Sequence, residues 1–373
     1  MKAQKLTIVD TESKRLEDYS KITPKAVKEI KKLAEKLNGL SIAHVNATAV
    51  GGGAAEMLRS EVPLQKDIGL KSNWYVIPPN DDFFEVTKSI HNFMQGKPGD
   101  LTEGQKKLYL EYNQYIGELL SDIKADIFLI HDPQPAAALK FMKKRPKVAV
   151  WRSHIDTSHP NKQVWDFLRP YLEGYDHYVF TLPQYTNDEF EKDDVSFITP
   201  VIDPLNEKNN SMGKKEAKKY LERLGIDTSK PLITQVSRLD PWKDPEGVID
   251  AYRKAKKEIP DLQLALVAQM ADDDPEGVII HNQIKEYVGD DKDIYLMVNL
   301  DENDKAVNAF QVGSDIILQK SIREGFGLTV TEAMWKGAVV IGGNVGGIKL
   351  QIEDGVSGYL VDSSEQAADR IVE

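Results

Sequence analysis

Short apolar runs alternate with longer amphipathic stretches along most of the chain after residue 40. Runs that are apolar almost throughout, as buried strands are, comprise residues 41–46, 73–77, 126–131, 147–152, 177–181, 195–199, 231–236, 262–268, 293–298, 315–319, 338–342 and 358–361. Segments with helical spacing between them include residues 83–95, 103–121, 162–173, 245–258 and 303–312. An earlier helix is predicted from Thr23-Pro24 to Leu37, with Thr23 as its cap. Such alternation predicts an α/β protein with parallel, doubly wound sheets.

A polar segment, residues 203–215, interrupts this rhythm before it starts again. Its proline, asparagines, serine and glycine are typical of a linker. We therefore predict an N-terminal domain over residues 1–202, a linker over 203–215 and a C-terminal domain over 216–373. For two doubly wound domains, the expected ligand site is the cleft between them, at the carboxyl ends of the strands.

The length of 373 residues agrees with two domains, and the charge narrows the choice of partners. With 48 Lys and Arg against 59 Asp and Glu, the formal net charge is −11, which disfavours nucleic acid or anionic membranes as partners. The absence of cysteine excludes disulfides, thiol nucleophiles and iron–sulfur clusters. No apolar run is long enough to span a bilayer, and the first residues do not resemble a signal peptide. These features predict a soluble, cytoplasmic protein.

Three consecutive glycines, Gly51-Gly52-Gly53, follow the first long strand and open a helix. Glycines here let the backbone approach a ligand, and they aim helix N–H groups at an anion or a sugar hydroxyl. The dinucleotide fingerprint needs a third glycine where Glu56 stands and an acidic residue about 20 positions later, which is missing. Nicotinamide binding is therefore disfavoured, and a simple tight turn is the alternative.

Two cations, Arg238 and Lys243, follow directly on the strand predicted at residues 231–236. An arginine fork and a lysine point charge at a strand's carboxyl end suit a diphosphate. Two solvated surface cations are an equally good reading of this segment alone.

A glycine-rich turn between Glu324 and Glu332 follows the strand predicted at residues 315–319 and leads into a helix. Free N–H groups near Gly327, Leu328 and Thr329 would face a ligand at the strand ends. Carboxylates on either side of such a phosphate cradle can accept hydrogen bonds from paired sugar hydroxyls, which fits a nucleotide sugar. A capped surface helix with an incidental glutamate is the alternative.

The spacing Glu324–x7–Glu332, with Arg238 and Lys243 upstream, resembles the retaining GT-B glycosyltransferases of family 4. Several phrases look more closely like the trehalose glycosyltransferring synthases within them: HVNATAVGGGAAE, HDPQPAA, WRSHID, TQVSRLDPWK, SIREGFGLTVTEAMWKG and VGGIKLQI. The similarity runs from Lys14 to almost the end of the chain. It implies a GT-B architecture, in which two Rossmann-like doubly wound domains face each other across a cleft.

The resemblance implies a role for each matching residue. Arg238 and Lys243 would neutralise the diphosphate, Glu324 and His154 would contact the donor glucose, and Glu332 would bind the ribose. A satisfied core histidine remains the alternative for His154. The further contacts expected are Gly52 and Gly53 for sugar and phosphates, Gly327, Leu328 and Thr329 for the phosphate cradle, Asn299 and Leu300 for the base, and Asp132, Gln134 and Arg152 for the acceptor.

The implied reaction is the transfer of glucose from ADP- or UDP-glucose to free glucose, which gives trehalose with retention. A retaining trehalose phosphorylase, a sucrose-phosphate-synthase-like transferase and a non-catalytic nucleotide-sugar binder are the alternatives. The resemblance also implies a homodimer. Family members usually continue beyond the position of Glu373 with a crossover helix, so we expect this sequence to lack that helix.

No cofactor is required by the sequence, although Mg²⁺ is compatible with it. The stretches Asp272-Asp273-Asp274 and Asp291-Lys292-Asp293 formally contain the D-x-D metal motif of another transferase architecture. Both lie in polar turns away from the other motifs, and the histidines lack metal-binding spacing. We therefore predict no metal site.

Overall fold

The computed structural model describes residues 5–50, 52–186, 189–270, 274 and 276–373. The chain divides into two compact units. Unit 1 comprises Met1–Pro200 with Asp272–Pro275, and unit 2 comprises Val201–Ala271 with Glu276–Glu373. Within the described ranges, no helix is both long and apolar enough to cross a membrane.

The sheet of unit 1 has seven strands among the described residues, in the order β1-β3-β2-β4-β5-β6-β7. The strands are β1 (Thr7–Ile8), β2 (Ser41–Asn46), β3 (Lys71–Val76), β4 (Ile127–His131), β5 (Val148–Ser153), β6 (His177–Phe180) and β7 (Val195–Phe197). All neighbours are parallel except β1, which pairs antiparallel with β3. The chain moves outward from β2 in both directions, so the order reverses between β2 and β4. Crevices at such reversals are where α/β sheets bind ligands.

Helices supply the layers that cover this sheet. They are α1 (Pro24–Leu37), α2 (Gly53–Asp67), α3 (Asp81–Met94), α4 (Glu103–Leu120), α5 (Ala138–Phe141) and α6 (Lys162–Leu172), with 3₁₀ turns at Leu16–Lys21, Pro183–Tyr185 and Lys192–Asp194. The main core contains the buried face of α3 and α4, for example Phe83, Tyr109 and Ile116, against the strand residues Phe128 and Trp151. The helices bury one face because their apolar residues recur at helical spacing.

Unit 2 repeats this plan with a sheet of six parallel strands in its described part, in the order β10-β9-β8-β11-β12-β13. The strands are β8 (Leu232–Val236), β9 (Gln263–Ala268), β10 (Ile294–Val298), β11 (Ile316–Gln319), β12 (Val339–Gly343) and β13 (Tyr359–Val361). The order reverses between β8 and β11. Two neighbouring carboxyl ends therefore meet where a ligand crevice is expected.

Seven helices belong to unit 2 in the part of the chain that the structure describes. They are α7 (Lys214–Arg223), α8 (Pro245–Ala255), α9 (Glu276–Val288), α10 (Asn303–Gly313), α11 (Leu328–Trp335), α12 (Ile348–Gln351) and α13 (Ser364–Val372), and a 3₁₀ turn spans Pro241–Lys243. Helices α8, α9 and α13 contribute to one core cluster with the sheet, and α7 and α10 to another. Both faces of the sheet are thus supplied with apolar partners.

The predicted α/β class with doubly wound parallel sheets is confirmed, and each of the predicted strands is present within two residues of its predicted start. Strand β1 escaped prediction because two residues carry no periodicity. Thr23 stands at the cap position of α1, but its side chain makes no capping hydrogen bond. The polar segment 203–215 is held against its own unit, since Asn308 of α10 donates to the carbonyl of Glu207 (3.0 Å) and to that of Asn210 (3.1 Å).

Candidate active site

The loop after β8 is built by two aspartates that accept hydrogen bonds from the backbone. Asp240 accepts from the N–H of Trp242 (2.9 Å), and Asp244 accepts from the N–H of Gly247 (3.2 Å) at the start of α8. Asp244 has a left-handed backbone with φ of 51°. These turns keep Lys243 next to the carboxyl end of β8, where the carbonyl of Lys243 accepts from Gln235 (2.8 Å).

The loop after β11 is joined to the loop after β8. The carbonyl of Trp242 accepts from the N–H of Ile322 (2.9 Å), so the backbones of the two loops are in direct contact. Because the two loops touch, the Nζ of Lys243 reaches the carboxylate of Glu324 and donates a hydrogen bond to it. The hydroxyl of Ser321 lies 3.4 Å from the same carboxylate. Two residues that are 81 positions apart in the chain therefore form one ion pair at the switch point.

Arg238 supplies a second cation at the same strand end. One Nη of Arg238 lies 3.9 Å from the carboxylate of Asp240, and about a third of the Arg238 side chain (31 %) is exposed. Lys320 pairs with Asp244 just beside them. The site therefore combines cations that are oriented by carboxylates, an arrangement that can receive an anionic group with little reorganisation.

Helix α11 begins at Gly327, whose φ of 88° lies in the left-handed region. Gly327 offers no side-chain cap, so the first-turn N–H groups at Leu328 and Thr329 are not occupied by a cap side chain. Neighbouring glycines let the loop pack closely. A Cβ on Gly343 would stand 2.1 Å from the carbonyl oxygen of Ser321.

Glu332 lies inside α11 with only 1 % of its surface exposed. Its carboxylate accepts from the amide of Gln311 (3.1 Å), and its other oxygen lies 3.6 Å from the Nζ of Lys208. Lys208 belongs to the segment that the sequence predicted as a linker, and nothing in its local pattern indicates this contact. The carboxylate is thus preoriented by an amide and a cation.

The residues predicted to meet the base follow β10 in unit 2. Asn299 has a left-handed φ of 52°, its N–H donates to the carbonyl of Ala268 (2.9 Å), and its side chain accepts from the N–H of Met270 (2.8 Å). Leu300 packs against an apolar cluster of unit 2. Asn299 therefore shapes the turns after β9 and β10.

In unit 1, Gly52 is the cap residue of α2 and Gly53 its first residue, directly beyond β2. Gly52 provides no side-chain cap, and a Cβ added to it would meet no atom within 4 Å. The start of α2 therefore presents backbone N–H groups rather than a side chain. Gly51 lies outside the described residues.

Asp132 and Gln134 follow β4, the strand on the other side of the order reversal in unit 1. Asp132 has φ of 61°, a left-handed conformation that aspartate adopts more readily than most residues. Its carboxylate accepts from the N–H of His154 (2.8 Å), and the carbonyl of Gln134 accepts from Asn113 (3.1 Å). Asp132 thus connects the ends of β4 and β5.

His154 is the outermost member of a row of three imidazoles. Its Nε2 lies 2.9 Å from Nδ1 of His131, and Nε2 of His131 lies 3.3 Å from Nδ1 of His44. The rings are stacked, with centroids 5.2 and 5.5 Å apart. His44 and His131 are fully buried, whereas His154 is partly exposed. Sequence reasoning singled out His154 alone, because only strand order brings the other two beside it.

The surroundings of the row of histidines favour the neutral form of each ring. Burial lowers the pKa of His44 and holds the pKa values of His131 and His154 well below the usual value. The guanidinium of Arg152 acts in the same direction on all three. The carboxylate of Glu61 opposes this at His44.

Arg152, predicted as an acceptor contact, is buried against α2. Its guanidinium lies 3.6 Å from the carboxylate of Glu61 and 3.9 Å from the sulfur of Met57. An interaction with a sugar would have to occur from this buried position.

The two D-x-D stretches differ in what the structure describes. Asp272 and Asp273 lie outside the described residues, whereas Asp293 pairs with Lys256 at 2.6 Å. In the described part of the chain, no group of three or more acidic or histidine side chains could hold a metal ion.

Comparison with known proteins identifies the class. A family model described as "Trehalose synthase, N-terminal domain" matches residues 44–187, and one described as "Glycosyl transferases group 1" matches residues 216–373. The solved structure of a trehalose-phosphate synthase (UDP-forming) from Burkholderia xenovorans, in complex with glucose-6-phosphate, resembles the chain with a TM-score of 0.68. It is 14 % identical and covers 90 % of this chain and 92 % of that chain. With cations and carboxylates at the strand ends, this fold is that of a GT-B glycosyltransferase.

Relatives narrow the class to a family. The trehalose synthase of Thermococcus litoralis is 49 % identical over 96 % of this chain and 88 % of its own length. A trehalose phosphorylase from Pleurotus pulmonarius is 29 % identical, and the match covers 90 % of this chain and 52 % of that protein. The chain belongs to the trehalose synthase family, which confirms the resemblance seen in its motifs.

Proposed function

We propose that this enzyme transfers glucose from a nucleoside diphosphate glucose to free glucose and forms trehalose with retention of the anomeric configuration. The observation that carries the proposal is the pairing of Lys243 with Glu324 beside Arg238, at the switch point of a sheet in a chain that is 49 % identical to a trehalose synthase. A cation and a carboxylate held together there can bind a phosphate and a sugar hydroxyl side by side.

We assign stabilisation of the leaving diphosphate to the cations of unit 2. When the glycosidic bond to the diphosphate breaks, negative charge grows on the leaving oxygen. In this proposal Arg238 and Lys243, which follow β8, stabilise that charge, and the start of α11 at Leu328 adds the positive end of a helix dipole. Because the carboxylates of Asp240 and Glu324 already orient both cations, little reorganisation is needed during the reaction.

The remaining roles divide between sugar, nucleotide and acceptor. Glu324 would accept hydrogen bonds from hydroxyls of the donor glucose and Glu332 from the ribose. In unit 1, we assign the backbone of Gly52 and Gly53 and the imidazole of His154 to the donor side. Asp132, Gln134 and Arg152 are assigned to the acceptor glucose.

We propose front-face transfer as the route to retention. A hydroxyl oxygen of the acceptor glucose bonds to the anomeric carbon on the face from which the diphosphate departs, while the bond from that carbon to the phosphate oxygen breaks. The β-phosphate takes the proton of the acceptor hydroxyl. Glu324 as a covalent nucleophile is the competing route, in which a glycosyl-enzyme would accumulate and could be trapped.

Several finer points belong to the same proposal. The donor is ADP-glucose or UDP-glucose, with base contacts from the backbone near Asn299 and Leu300. We propose a cytoplasmic homodimer that requires no cofactor, although Mg²⁺ can bind together with the diphosphate. Sedimentation analysis and activity with and without a chelator test the dimer and the metal.

The test is to incubate the protein with glucose and either ADP-glucose or UDP-glucose and to quantify trehalose and nucleoside diphosphate by chromatography. We expect one nucleotide released per trehalose, with one of the two donors preferred. Phosphate-dependent cleavage of trehalose to glucose 1-phosphate would instead establish a phosphorylase. Nucleotide-sugar binding without any product would establish a non-catalytic binder.

A further inference from the structure

The row of three histidines continues inward to a glutamine and a carboxylate. The Nε2 of His44 lies 2.9 Å from the side-chain oxygen of Gln65, whose amide nitrogen donates to a carboxylate oxygen of Glu61 at 3.0 Å. Including the contacts to His131 and His154, five side chains form a single chain of hydrogen bonds. No part of the proposed reaction uses the four inner members.

The carboxylate of Glu61 determines which atom donates and which accepts in each hydrogen bond of this row. A carboxylate only accepts hydrogen bonds, so the amide nitrogen of Gln65, and not its oxygen, must face Glu61. The oxygen of Gln65 therefore faces His44, and the hydroxyl of Ser72 contacts the same oxygen at 2.6 Å. Since an amide oxygen only accepts, His44 must carry its proton on Nε2.

A neutral imidazole has one N–H and one bare nitrogen, so a ring that donates on one side must accept on the other. The position of the proton on one ring therefore determines its position on the next. With its proton on Nε2, His44 has a bare Nδ1, so His131 must donate from Nε2. His131 then has a bare Nδ1, so His154 must also donate from Nε2. The lone pair of the partly exposed His154 is therefore on Nδ1.

We propose that Glu61, Gln65, His44 and His131 are positioning residues that hold His154 in the Nε2–H tautomer, so that its Nδ1 accepts a hydrogen bond from a sugar hydroxyl. The role of this acceptor rests on the proposed function, whereas the tautomer does not. An acceptor at this place favours a ligand that brings an O–H group over one that brings only ether or carbonyl oxygens.

The charges around the row agree with neutral imidazoles. Burial and the guanidinium of Arg152 lower the pKa values of the three rings, and the carboxylate of Glu61 is the opposing charge at the inner end. At the outer end, one carboxylate oxygen of Asp132 accepts from the backbone N–H of His154. With the tautomers derived above, a proton added to Nδ1 of His44 or His131 would face the N–H of the next ring, so these hydrogen bonds favour neutral inner rings.

The first test is a two-bond ¹H–¹⁵N correlation spectrum of the full chain labelled with ¹⁵N-histidine, since it distinguishes protonated from bare ring nitrogens. The substitution Gln65→Lys supplies a donor in place of the acceptor, so it should reverse the row and put a proton on Nδ1 of His154. Ser72→Ala is the matched control, because it removes the other contact to the same oxygen without changing the direction of the row.

We expect Nε2–H and bare Nδ1 at His154 in the unmodified protein and in Ser72→Ala. In Gln65→Lys, we expect the reversed tautomer and kcat/KM for the sugar lower by about 5- to 150-fold, the range for a hydrogen bond replaced by an unsatisfied donor. Nδ1–H at His154 in the unmodified protein overturns the proposal, and that spectrum needs no variant to fold.

The outcomes separate this inference from the proposed function. The predicted tautomer without any trehalose formation would refute the reaction but leave the positioning intact. Trehalose formation with the opposite tautomer would refute the positioning alone. If Gln65→Lys reverses the tautomer and its rate stays the same, His154 does not accept a sugar hydroxyl.

Discussion

Removal of the ammonium group of Lys243 is the most direct test of the proposal that cations of unit 2 stabilise the negative charge on the leaving diphosphate. In Lys243→Ala the carboxylate of Glu324 loses its cation, and the strand end keeps Arg238 as the remaining charge of the predicted pair. The backbone of the loop should persist, because the turns at Asp240 and Asp244 depend on aspartate side chains and not on Lys243.

The size of the effect can be estimated from the burial of the pair. The side chains of Lys243 and Glu324 are 17 % and 11 % exposed, so water screens the ammonium only partly. At an effective dielectric constant of about 20, a unit charge about 4 Å from a second one contributes on the order of 4 kcal/mol. Losing one donor to a developing charge typically costs about 2.7–4 kcal/mol, or roughly 10²–10³ in kcat. We expect a loss of that size.

The loss of stability should not be large enough to unfold the protein. A hydrogen bond to a charged group contributes about 1.5–3 kcal/mol, against roughly 5–15 kcal/mol for unfolding of a typical domain, so the variant should still fold. Circular dichroism and urea unfolding check this point. Lys254→Ala is a matched control, since it removes a lysine of the same unit that pairs with Glu365 on the surface.

The assay is initial-rate measurement of nucleoside diphosphate release with saturating glucose. The control should turn over like the unmodified enzyme, while Lys243→Ala should lose about 10²–10³ in kcat. A folded Lys243→Ala whose kcat is within about threefold of the unmodified enzyme would show that this ammonium does not stabilise the leaving group.

Three further changes probe other parts of the molecule. Glu332→Gln should raise KM for the nucleotide sugar about tenfold with less change in kcat, because the ribose loses a charged acceptor; an unchanged KM would contradict the assignment. Gly343→Ala should lower the free energy of unfolding, measured by urea unfolding, by roughly 1–3 kcal/mol, because its Cβ would meet the carbonyl of Ser321. Gly213→Ala is the control: a Cβ there meets open space, so the free energy of unfolding should change little. Stability should fall as pH is lowered from 7 to 5, because the three histidines have lowered pKa values when folded and therefore bind fewer protons than in the unfolded chain, where they titrate near pH 6.5. The slope is up to about 1.4 kcal/mol per pH unit for each. His131→Phe should make that dependence shallower, and an equal slope would contradict the lowered pKa values.

The elements of this chain were readable from its sequence because their signals are local. The continuous apolar run of β9 and the helical spacing of α4 each lie within about twenty residues and depend on nothing distant. The glycine at the start of α11 and the aspartates of the loop after β8 also follow from local turn and cap chemistry. With motifs of this kind, the fold class and the family could be predicted, and both are confirmed.

Strand order decided what the local pattern could not. Lys243 meets Glu324 because β8 and β11 are neighbours, although their sequences do not specify that pairing. Lys208 reaches Glu332 from a segment whose composition indicates only a linker.

The row of histidines is the clearest case. His44, His131 and His154 come from β2, β4 and the end of β5, which are adjacent in the sheet but far apart in the chain. The burial that lowers the pKa values of these rings follows from the same packing. The sequence by itself determined which segments become strands and helices and which chemical groups stand at their ends. The tertiary structure alone decided which of those groups touch, because contact between distant residues depends on the order of strands that local hydrophobic spacing does not encode.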